Sequence, residues 1–519
     1  MEFFPDVVNV LNDAISTRAL DFESFRIGLV SSGVDYTHPA FGGGLGEGFT
    51  VVGGYDFALN NSDPIDRYNL GTGLGFGTRW AGIIAGNAPN GFRGVAPGAK
   101  LVAYNVWGVG YGAVDDITEG ILRTTDPNDD GDTSDHLFMA QFDGSLHGEL
   151  LQPIRDAVRE AADAGVLMVM PNVRSSEQNP NGYFTSHDAP EDVLSVGGVD
   201  VFGSIIFESA WGPTPSYTLK PDLVALAGGL YTTVPRREYD DARGLGAAIS
   251  LVTGTMALIK AMNPDWSAAQ VRSAVVNTTY DLERPMMQQG AGSLSIEDAI
   301  RATSTFEPAI LRVGDYISSD VADVYQRTLP LTISNEGTEA TTYRVVMPVP
   351  PVGVVWSISE NNFTLQPGET SQVDLTFEMT KADAAFDPIT FSMGDYFRIV
   401  TAEQTYRLPW YLVDQVAAQQ PRTSTTVETE TPTAFTVSGN YPNPFSATTN
   451  IGYTLADAAE VEIAVFNMVG QQVSSMRPGY QAAGQHEVMF EAGTLPSGMY
   501  YYHVSTGSER VTQTMTIVR

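Results

Sequence analysis

The densest run of metal-binding side chains in the sequence is DPNDDGDTSDH, at positions 126–136. A calcium loop takes oxygen ligands from its first, third, fifth and ninth positions and turns sharply at a glycine in the sixth. The residues at those positions are Asp126, Asn128, Asp130 and Ser134, with Gly131 at the turn. The twelfth position holds Leu137 where a calcium loop has glutamate, so the match is partial. We therefore expect either a calcium ion or a solvated acidic loop here.

The remaining reactive side chains exclude several kinds of site. The chain has no cysteine, which rules out a disulfide framework, thiolate zinc sites and thiol catalysis. The histidines show no metal-ligand spacing. They are His38, His136, His147, His187, His486 and His503.

The charge of the chain excludes another class of function. It carries 61 acidic and 28 basic side chains, a formal net charge of −33, so nucleic acid would be repelled at long range. This balance suits a secreted protein in salty or calcium-bearing medium, and it also suits salt-adapted cytosol. No stretch reaches the roughly 18 consecutive apolar residues of a membrane span. The first ten residues, MEFFPDVVNV, lack the basic head and apolar core of a signal peptide.

The elements that must position these residues change in character along the chain. Its 519 residues predict roughly two to four domains. Residues 1–304 alternate buried strands with amphipathic helices, which predicts a parallel sheet flanked by helices. The predicted strands are Arg26–Val30, Lys100–Asn105, Gly165–Met170 and Val193–Val199. The predicted helices are Leu151–Ala164 and one within Asn263–Thr279, which begins with a capping box of Ser267 and Gln270.

Two all-β sandwiches are predicted to follow this α/β domain. Residues 305–414 carry β-branched and aromatic runs bounded by turns. These runs are Thr328–Ser334, Tyr343–Met347, Val354–Ile358, Gln372–Phe377 and Tyr406–Val413. Residues 415–433 are polar and Thr-rich, which indicates a linker. Residues 434–519 return to strand alternation in Glu460–Phe466, His486–Phe490 and Met499–Val504.

The first domain resembles the subtilisin-like serine proteases over most of residues 20–300. Four stretches carry the resemblance in the order that the family has them. They are Ile27–Pro39 (IGLVSSGVDYTHP), Gly75–Gly86 (GFGTRWAGIIAG), Gly165–Asn172 with Ser195–Gly212, and Lys220–Asp222 with Gly244–Leu258 (GLGAAISLVTGTMAL). The resemblance implies a subtilisin-like fold.

The same resemblance places the family's catalytic triad on residues that cannot act as one. The aspartate falls on Ser31, the histidine on Phe76 and the nucleophilic serine on Gly246. Acyl transfer needs a hydroxyl, a base beside it and a carboxylate that orients the base. We therefore expect the domain to be a pseudoprotease rather than an enzyme.

The surroundings of the triad also depart from the family's pattern. Asn172 remains at the oxyanion-stabilising position, but Pro171 replaces the preceding glycine and restricts the turn. Arg79 stands at the second histidine of the motif, and Ser250 at the proline after the serine. The substrate-binding strand falls on residues 141–144, where Asp143 would obstruct a docked peptide.

The tail resembles the C-terminal sorting domain of type IX secretion substrates. Its motifs are Asn440–Phe445, Thr449–Leu455, Val465–Val473, Ala483–His486 and Leu495–Tyr501. The resemblance implies export by the type IX secretion machinery to the outer surface of a Bacteroidota-type cell. Such proteins normally enter the periplasm by a signal peptide, so the sequence is expected to be a mature or trimmed form. The middle sandwich resembles the fibronectin type III-like modules that follow large bacterial subtilases, where it would be a spacer or docking surface.

Three functions are compatible with these observations. The first is a secreted pseudoprotease that acts as a structural or binding module at the cell surface, self-associating into a layer or filament or binding peptide or glycan partners. The second is a pseudoenzyme that binds peptides or regulates a protease through the old cleft. The third is an active hydrolase that uses other residues.

Overall fold

The structure is a computed structural model of the chain. It describes residues 20–518 except 67–74, 108–112, 145–151, 174–189, 317–322, 382–385, 388–391, 416–434, 442–444, 446–447, 457, 468–470, 482–483, 494 and 507–508. The predicted linker, His147 and His187 lie outside the described residues. The chain divides into two compact units, Met1–Pro421 and Arg422–Arg519.

A seven-stranded sheet in the order β2-β3-β1-β4-β5-β6-β7 forms the centre of the first unit. Its neighbouring strands are all parallel. The strands are β1 Ile27–Ser31, β2 Val51–Asp56, β3 Leu101–Asn105, β4 Met139–Phe142, β5 Leu167–Pro171, β6 Leu194–Val199 and β7 Leu223–Leu226. A two-stranded hairpin of β8 (Gly228–Val234) and β9 (Glu238–Arg243) follows. The predicted strands correspond to β1, β3, β5 and β6. The sequence pattern missed the other three, because β2 contains Gly53 and Gly54, and because β4 and β7 have four residues each. The strand that the resemblance places on residues 141–144 overlaps only the end of β4.

Seven helices lie in the described part of this unit. They are α1 Phe76–Ala85, α2 Val114–Leu122, α3 Gln152–Asp163, α4 Leu245–Met262, α5 Ala268–Asn277, α6 Met286–Gln289 and α7 Ile296–Ile300. The predicted capping box opens α5, where Gln270 N donates to Ser267 Oγ over 3.3 Å and Ser267 N donates to Gln270 Oε1 over 2.8 Å. Among the described residues, α4 is the one helix long and apolar enough to cross a membrane, and 83% of it is buried. Helix α4 is therefore a core helix of the first unit.

The middle of the chain forms a β-sandwich, so the predicted fold class is confirmed. One sheet has the order β10-β12-β16-β14 and the other the order β11-β18-β17-β13-β15. The strands are β10 Ser304–Glu307, β11 Leu311–Tyr316, β12 Val324–Asn335, β13 Thr341–Val346, β14 Val354–Ile358, β15 Asn362–Leu365, β16 Thr370–Thr380, β17 Ser392–Val400 and β18 Thr405–Asp414. All five predicted runs lie largely within these strands.

The sandwich packs directly against the α/β part of the unit. One continuous hydrophobic core contains residues of both, from Ile27 in β1 to Trp410 in β18. The Asn277 side chain, at the end of α5, donates to the carbonyl oxygens of Ala309 and Arg407, each over 2.8 Å. These contacts make the sandwich an integral part of the unit instead of a separate module on a flexible connection.

The second unit is a smaller β-sandwich with its own core. Its sheets have the orders β19-β20-β23 and β22-β21-β24-β25. The strands are β19 Thr436–Tyr441, β20 Thr448–Leu455, β21 Ala459–Asn467, β22 Gln472–Gln481, β23 Gly484–Glu491, β24 Gly498–Ser505 and β25 Arg510–Ile517. The core includes Ile463, Tyr502 and Met515, each fully buried. The three strands predicted in this region lie within β21, β23 and β24.

Candidate active site

The three positions assigned to catalysis lie at the carboxyl edge of the parallel sheet. Ser31 is the last residue of β1, and Phe76 and Gly246 stand at the start of α1 and α4. In such sheets the strand ends and the helix starts form the crevice where ligands bind. The fold therefore brings the three positions to the place where a catalytic site of this kind is built.

The indole ring of Trp80 fills the space between these positions. Trp80 lies one turn after Phe76 on α1, and the two rings stack with centroids 6.0 Å apart and planes 5° apart. On the other side, a Cβ on Gly246 would lie 2.6 Å from Trp80 Cε2 and 2.8 Å from Cη2. Those distances are too short for any side chain at position 246 while Trp80 keeps its place.

The Asp143 carboxylate holds this indole in position. Trp80 Nε1 donates to Asp143 Oδ2 over 2.7 Å, and Ser31 Oγ donates to the same oxygen over 2.6 Å. The Trp107 indole donates to Asp143 Oδ1 over 3.4 Å. Burial raises the pKa of the Asp143 carboxyl, while these three hydrogen bonds act in the opposite direction. Ser31 itself is fully buried, so its hydroxyl group does not reach solvent.

A second buried network joins β4 to α4. Gln141 Nε2 donates to Ser250 Oγ over 3.0 Å, and Ser250 Oγ donates to the Gly246 carbonyl oxygen over 2.7 Å. The side-chain amide oxygen of Gln141, Oε1, is buried without a partner among the described residues. Residues 141–144, where the resemblance places the family's substrate-binding strand, are thus tied to the core through Gln141 as well as through Asp143.

The Asn172 side chain is hydrogen-bonded to Ala210 and Ser195. Its amide nitrogen donates to the Ala210 carbonyl oxygen over 2.8 Å, and its amide oxygen accepts from Ser195 Oγ over 3.4 Å. The residue is 1% exposed and follows Pro171 at the end of β5. An oxyanion donor must aim at the reacting oxygen from an accessible position, which this side chain does not occupy. Its assignment to the oxyanion position remains a sequence prediction.

Two other polar side chains near the cluster are engaged in structural contacts. Arg79 points to the β8–β9 hairpin, where its guanidinium lies 3.7 Å from Asp240 and donates to the Asp241 carbonyl oxygen over 3.3 Å. His38 Nδ1 accepts from Ala40 N over 3.1 Å, and Nε2 lies 3.1 Å from the Glu238 carbonyl oxygen. Burial lowers the pKa of the His38 imidazole, which favours its neutral form.

Asp66 is a buried carboxyl group beside the start of α1 that the sequence did not single out. Asp66 Oδ2 accepts from Thr78 Oγ1 over 2.7 Å and from Ser32 Oγ over 3.3 Å. Its other oxygen, Oδ1, is buried without a partner among the described residues. Burial raises the pKa of Asp66 to about 7 because these hydrogen bonds only partly replace its hydration.

The acidic loop at 126–136 folds around its own backbone amides. Asp126 accepts from the amides of Asp130 and Gly131, over 3.1 and 2.8 Å, and Asp132 accepts from Ser134 N over 2.8 Å. Asn128 Oδ1 also accepts from Asp130 N, over 3.3 Å. Among the described residues, no three His, Asp or Glu side chains are grouped so that they could hold a metal ion. The loop as it lies is therefore not a preformed calcium cage.

The sequence pointed to Asp143 but not to the two tryptophans that bind it. Trp80 and Trp107 lie far apart in the sequence, and neither is a catalytic residue type. One signal was available for Trp80, because it follows Arg79 in GFGTRWAG where the resembled family has valine. Only the folded structure shows that this large ring lies against Gly246, which has no side chain of its own.

Comparisons with known proteins agree with the fold of the first unit and with the sorting domain at the end of the chain. The profile described as Subtilase family matches residues 23–293, and the profile described as Secretion system C-terminal sorting domain matches residues 440–518. Alkaline elastase YaB of Bacillus sp. (strain YaB) is 31% identical over 235 residues, which are 45% of this chain and 57% of the elastase. The match thus spans little more than half of that relative's length.

Two further relatives extend the comparison. Subtilisin BL of Lederbergia lenta is 28% identical over 291 residues, which are 56% of this chain and 95% of that protein. Minor extracellular protease Vpr of Bacillus subtilis (strain 168) is 21% identical over 463 residues, which are 62% of this chain and 56% of that protein. The matches to the sorting domain and to the subtilisins identify a secreted, cell-surface protein of Bacteroidota.

Proposed function

The chain belongs to the subtilase family and carries a type IX sorting domain, and from this premise we propose that it is a secreted pseudoprotease. In this proposal it cleaves no peptide bonds and serves at the cell surface as a structural or binding module that self-associates. The sorting domain implies handling by the type IX secretion machinery. In this proposal, export brings the protein to the outer cell surface, and the first unit forms the contacts with other copies or partners.

The observation that carries the proposal is the packing of Trp80 against Gly246. A nucleophile at position 246 would need the volume that the indole ring occupies. The base position holds Phe76, whose ring neither accepts nor donates a proton and stacks on the same indole. Acyl transfer requires a nucleophile and a base within reach of each other, and neither is supplied at these positions.

A substitute dyad of Ser31 and Asp143 is disfavoured by burial. The serine hydroxyl lies 2.6 Å from the carboxylate, a distance suited to proton transfer. Ser31 is fully buried at the end of β1, however, and the same carboxylate oxygen also accepts from Trp80. A substrate carbonyl carbon would have no access to the hydroxyl oxygen. This argues against the alternative of an active hydrolase.

Peptide binding through the old cleft is less favoured for a related reason. An extended peptide binds by adding a strand to an open sheet edge. Residues Gln141 and Asp143 of the corresponding segment are bonded into the core, and the Trp80 ring fills the space beside them. Self-association or partner binding through another surface remains the better-supported role.

Calcium binding by the acidic loop is a further part of the proposal. The oxygens of Asp126 and Asn128 converge on the amides of Asp130 and Gly131, which arranges the loop as a tight turn. A cation would be held by the carboxylates of Asp126 and Asp130 after their side chains rearranged. Subtilases commonly bind calcium, which supports calcium as the ion to test.

The test of the proposal is a peptidase assay on the full chain. Denatured casein is incubated with the purified protein, with and without millimolar calcium, and a subtilisin serves as positive control. We expect hydrolysis no faster than in a protein-free blank. Hydrolysis that copurifies with the chain through two unrelated columns would refute the proposal, whether or not a serine-protease inhibitor stops it.

A further inference from the structure

The middle sandwich has an edge strand that carries no charge. Strand β14 is last in the order β10-β12-β16-β14, and it pairs with β16 on one side only among the described strands. The segment from Val345 to Ser359 contains no Asp, Glu, Lys or Arg. The chain has a net charge of −33, so an uncharged segment on a sheet edge is a place where another strand could approach with little electrostatic repulsion.

Apolar side chains are exposed along this edge. Val355, within β14, is 59% exposed, and Val349 and Val352, in the loop before it, are 87% and 75% exposed. Natural proteins usually protect an exposed edge strand with charged residues, because its free backbone groups otherwise recruit another chain. Strand β14 lacks that protection, which favours a role in association.

The backbone of β14 offers two residues for pairing. Gly353 accepts from Thr380 N and Ser359 N donates to Asp374 O, so the odd-numbered residues of the strand bond to β16. The even-numbered residues face the open edge. Val354 N is used within its own turn, by the Pro351 carbonyl oxygen. Trp356 and Ile358 therefore present their N–H and C=O groups to an incoming strand.

We propose that β14 pairs antiparallel with β14 of a second copy of this chain, about a two-fold axis at Ser357. Trp356 then exchanges both hydrogen bonds with the partner's Ile358, and Ser357 lies opposite the partner's Ser357. A two-fold interface uses the same patch on both subunits, which an antiparallel pairing of identical strands satisfies. The result is a dimer with one sheet that continues across both copies.

The charge distribution favours a second copy over a charged partner. A cationic partner would be drawn to the acidic surface elsewhere and finds no carboxylate on this segment. Two copies repel each other at long range, and the uncharged edge is where they approach at the lowest electrostatic cost. Because salt screens that repulsion, dimerisation through β14 strengthens as ionic strength rises. An interface made of ion pairs would weaken instead.

This inference deepens the self-association in the proposed function and does not depend on the loss of catalysis. The casein assay tests the loss of catalysis and a measurement of molecular mass tests dimerisation, so the two hypotheses can be refuted independently. Active but dimeric protein would refute the loss of catalysis alone. Inactive protein that associates through another surface would refute the β14 interface alone, and inactive but monomeric protein would refute both the β14 interface and the proposed self-association.

The first experiment measures the mass of the full chain by light scattering across a concentration series, at low and high salt. We expect a monomer–dimer equilibrium with more dimer at high salt. Val355→Lys places a charge on the edge strand and weakens the dimer at least about tenfold. Val201→Lys is the matched control, because Val201 is 60% exposed and lies on a loop after β6, and it leaves the dimer unchanged.

Three results would overturn the inference: a monomer under all conditions, a dimer that salt weakens, or equal dimerisation of Val355→Lys and the parent chain. Circular dichroism and thermal melting establish that each variant is folded. If Val355→Lys fails to fold, Val352→Lys in the preceding loop takes its place with the same expected loss, since Val352 lies outside the strand.

A crosslink tests the register itself. The chain has no cysteine, so Ser357→Cys introduces a single thiol. Residues opposite each other in a non-hydrogen-bonded antiparallel pair have Cα atoms about 4.5 Å apart, so mild oxidation should give a covalent dimer. Thr328→Cys is the control, because Thr328 lies on β12, in the same row of the sheet but separated from β14 by β16. Equal crosslinking of both variants, or none at Ser357→Cys, would refute the proposed pairing.

Discussion

Trp80 and Gly246 occupy one volume that only one of them can fill with a side chain. The Trp80 ring atoms Cε2 and Cη2 lie 2.6 and 2.8 Å from the point where a Cβ on Gly246 would be. The ring is 4% exposed and is fixed by its hydrogen bond to Asp143. The size of residue 80 and the absence of a side chain at residue 246 are therefore physically linked.

We expect Gly246→Ser to destabilise the protein, because the new side chain overlaps the indole ring. Overpacking of this kind costs about 1–3 kcal/mol of unfolding free energy. In a Trp80→Val background the cost of Gly246→Ser should fall substantially, since the overlap is removed. Urea denaturation of the four proteins of this double-mutant cycle measures the coupling.

The control for this cycle is Gly53→Ser in β2, because a Cβ at Gly53 meets no atom within 4 Å. Its cost should be the same in both backgrounds. If Gly246→Ser also costs the same with Trp80 and with valine at position 80, the two residues do not compete for space and the packing argument is wrong.

Asp66 gives the protein a stability that depends on pH. Its pKa is raised by burial from 3.8 to about 7, so the protonated carboxyl stabilises the folded state. That contribution is complete below about pH 4 and is lost as the pH rises through about 7. Asp66→Asn imitates the protonated form and should flatten the decline, by at most about 4 kcal/mol. The measurement is the unfolding free energy of both proteins from pH 4 to 8.

Asp265→Asn removes an exposed carboxyl and serves as the comparison for Asp66→Asn. It should leave the shape of the pH profile unchanged. A parent chain whose profile between pH 4 and 7 coincides with that of Asp66→Asn would show that the buried carboxyl does not titrate in this range.

The continuity of the core predicts that the α/β part does not reach its full stability without the sandwich. A chain ending after residue 304 exposes core residues and loses the hydrogen bonds of Asn277 to Ala309 and Arg407. A chain ending after residue 415 keeps all of them. We expect the longer fragment to melt cooperatively and the shorter one to melt at least several degrees lower or to aggregate.

Scanning calorimetry of the two fragments decides the point, and the full chain provides the reference. Equal melting temperatures for both fragments would mean that the sandwich contributes no stability to its neighbour. Asn277→Ala in the longer fragment is a milder probe, and removal of its two buried hydrogen bonds should cost about 1–3 kcal/mol.

Calcium should raise the melting temperature of the chain by a few degrees if the acidic loop binds it. A ligand that binds only the folded state stabilises that state by mass action. Asp126→Asn combined with Asp130→Asn should abolish the effect, because it removes the negative charges best placed to hold the ion. An unchanged melting temperature of the parent chain in millimolar calcium would end the calcium hypothesis for this loop.

The sequence predicted the elements whose pattern is local and missed those whose pattern depends on the fold. The β1 and β6 segments are continuous apolar runs, and Ser267 with Gln270 is a local cap, so these could be read directly. Strand β4 is four residues long and contains Gln141, whose partner Ser250 lies on α4, distant in sequence. Its assignment needed the sheet around it.

The candidate site, like the fold, could be predicted from the sequence only in part. Motif order assigned Ser31, Phe76 and Gly246 to the triad positions, and the fold brings these three residues to one edge of the sheet. The ring that fills the space between them could not be inferred, because a tryptophan in a helix is usually a core residue whatever it touches. Similarly, the contribution of Asn277 to the sandwich interface depends on carbonyl groups that carry no side-chain signature.

The shared volume of Trp80 and Gly246 also couples the sequence changes that these two positions can accept. A serine at position 246 alone overlaps the indole ring and lowers stability. Shrinking residue 80 first leaves a cavity and an Asp143 carboxylate that has lost one of its donors. Each single change therefore lowers stability, so a transfer of side-chain volume between the two positions needs both substitutions together.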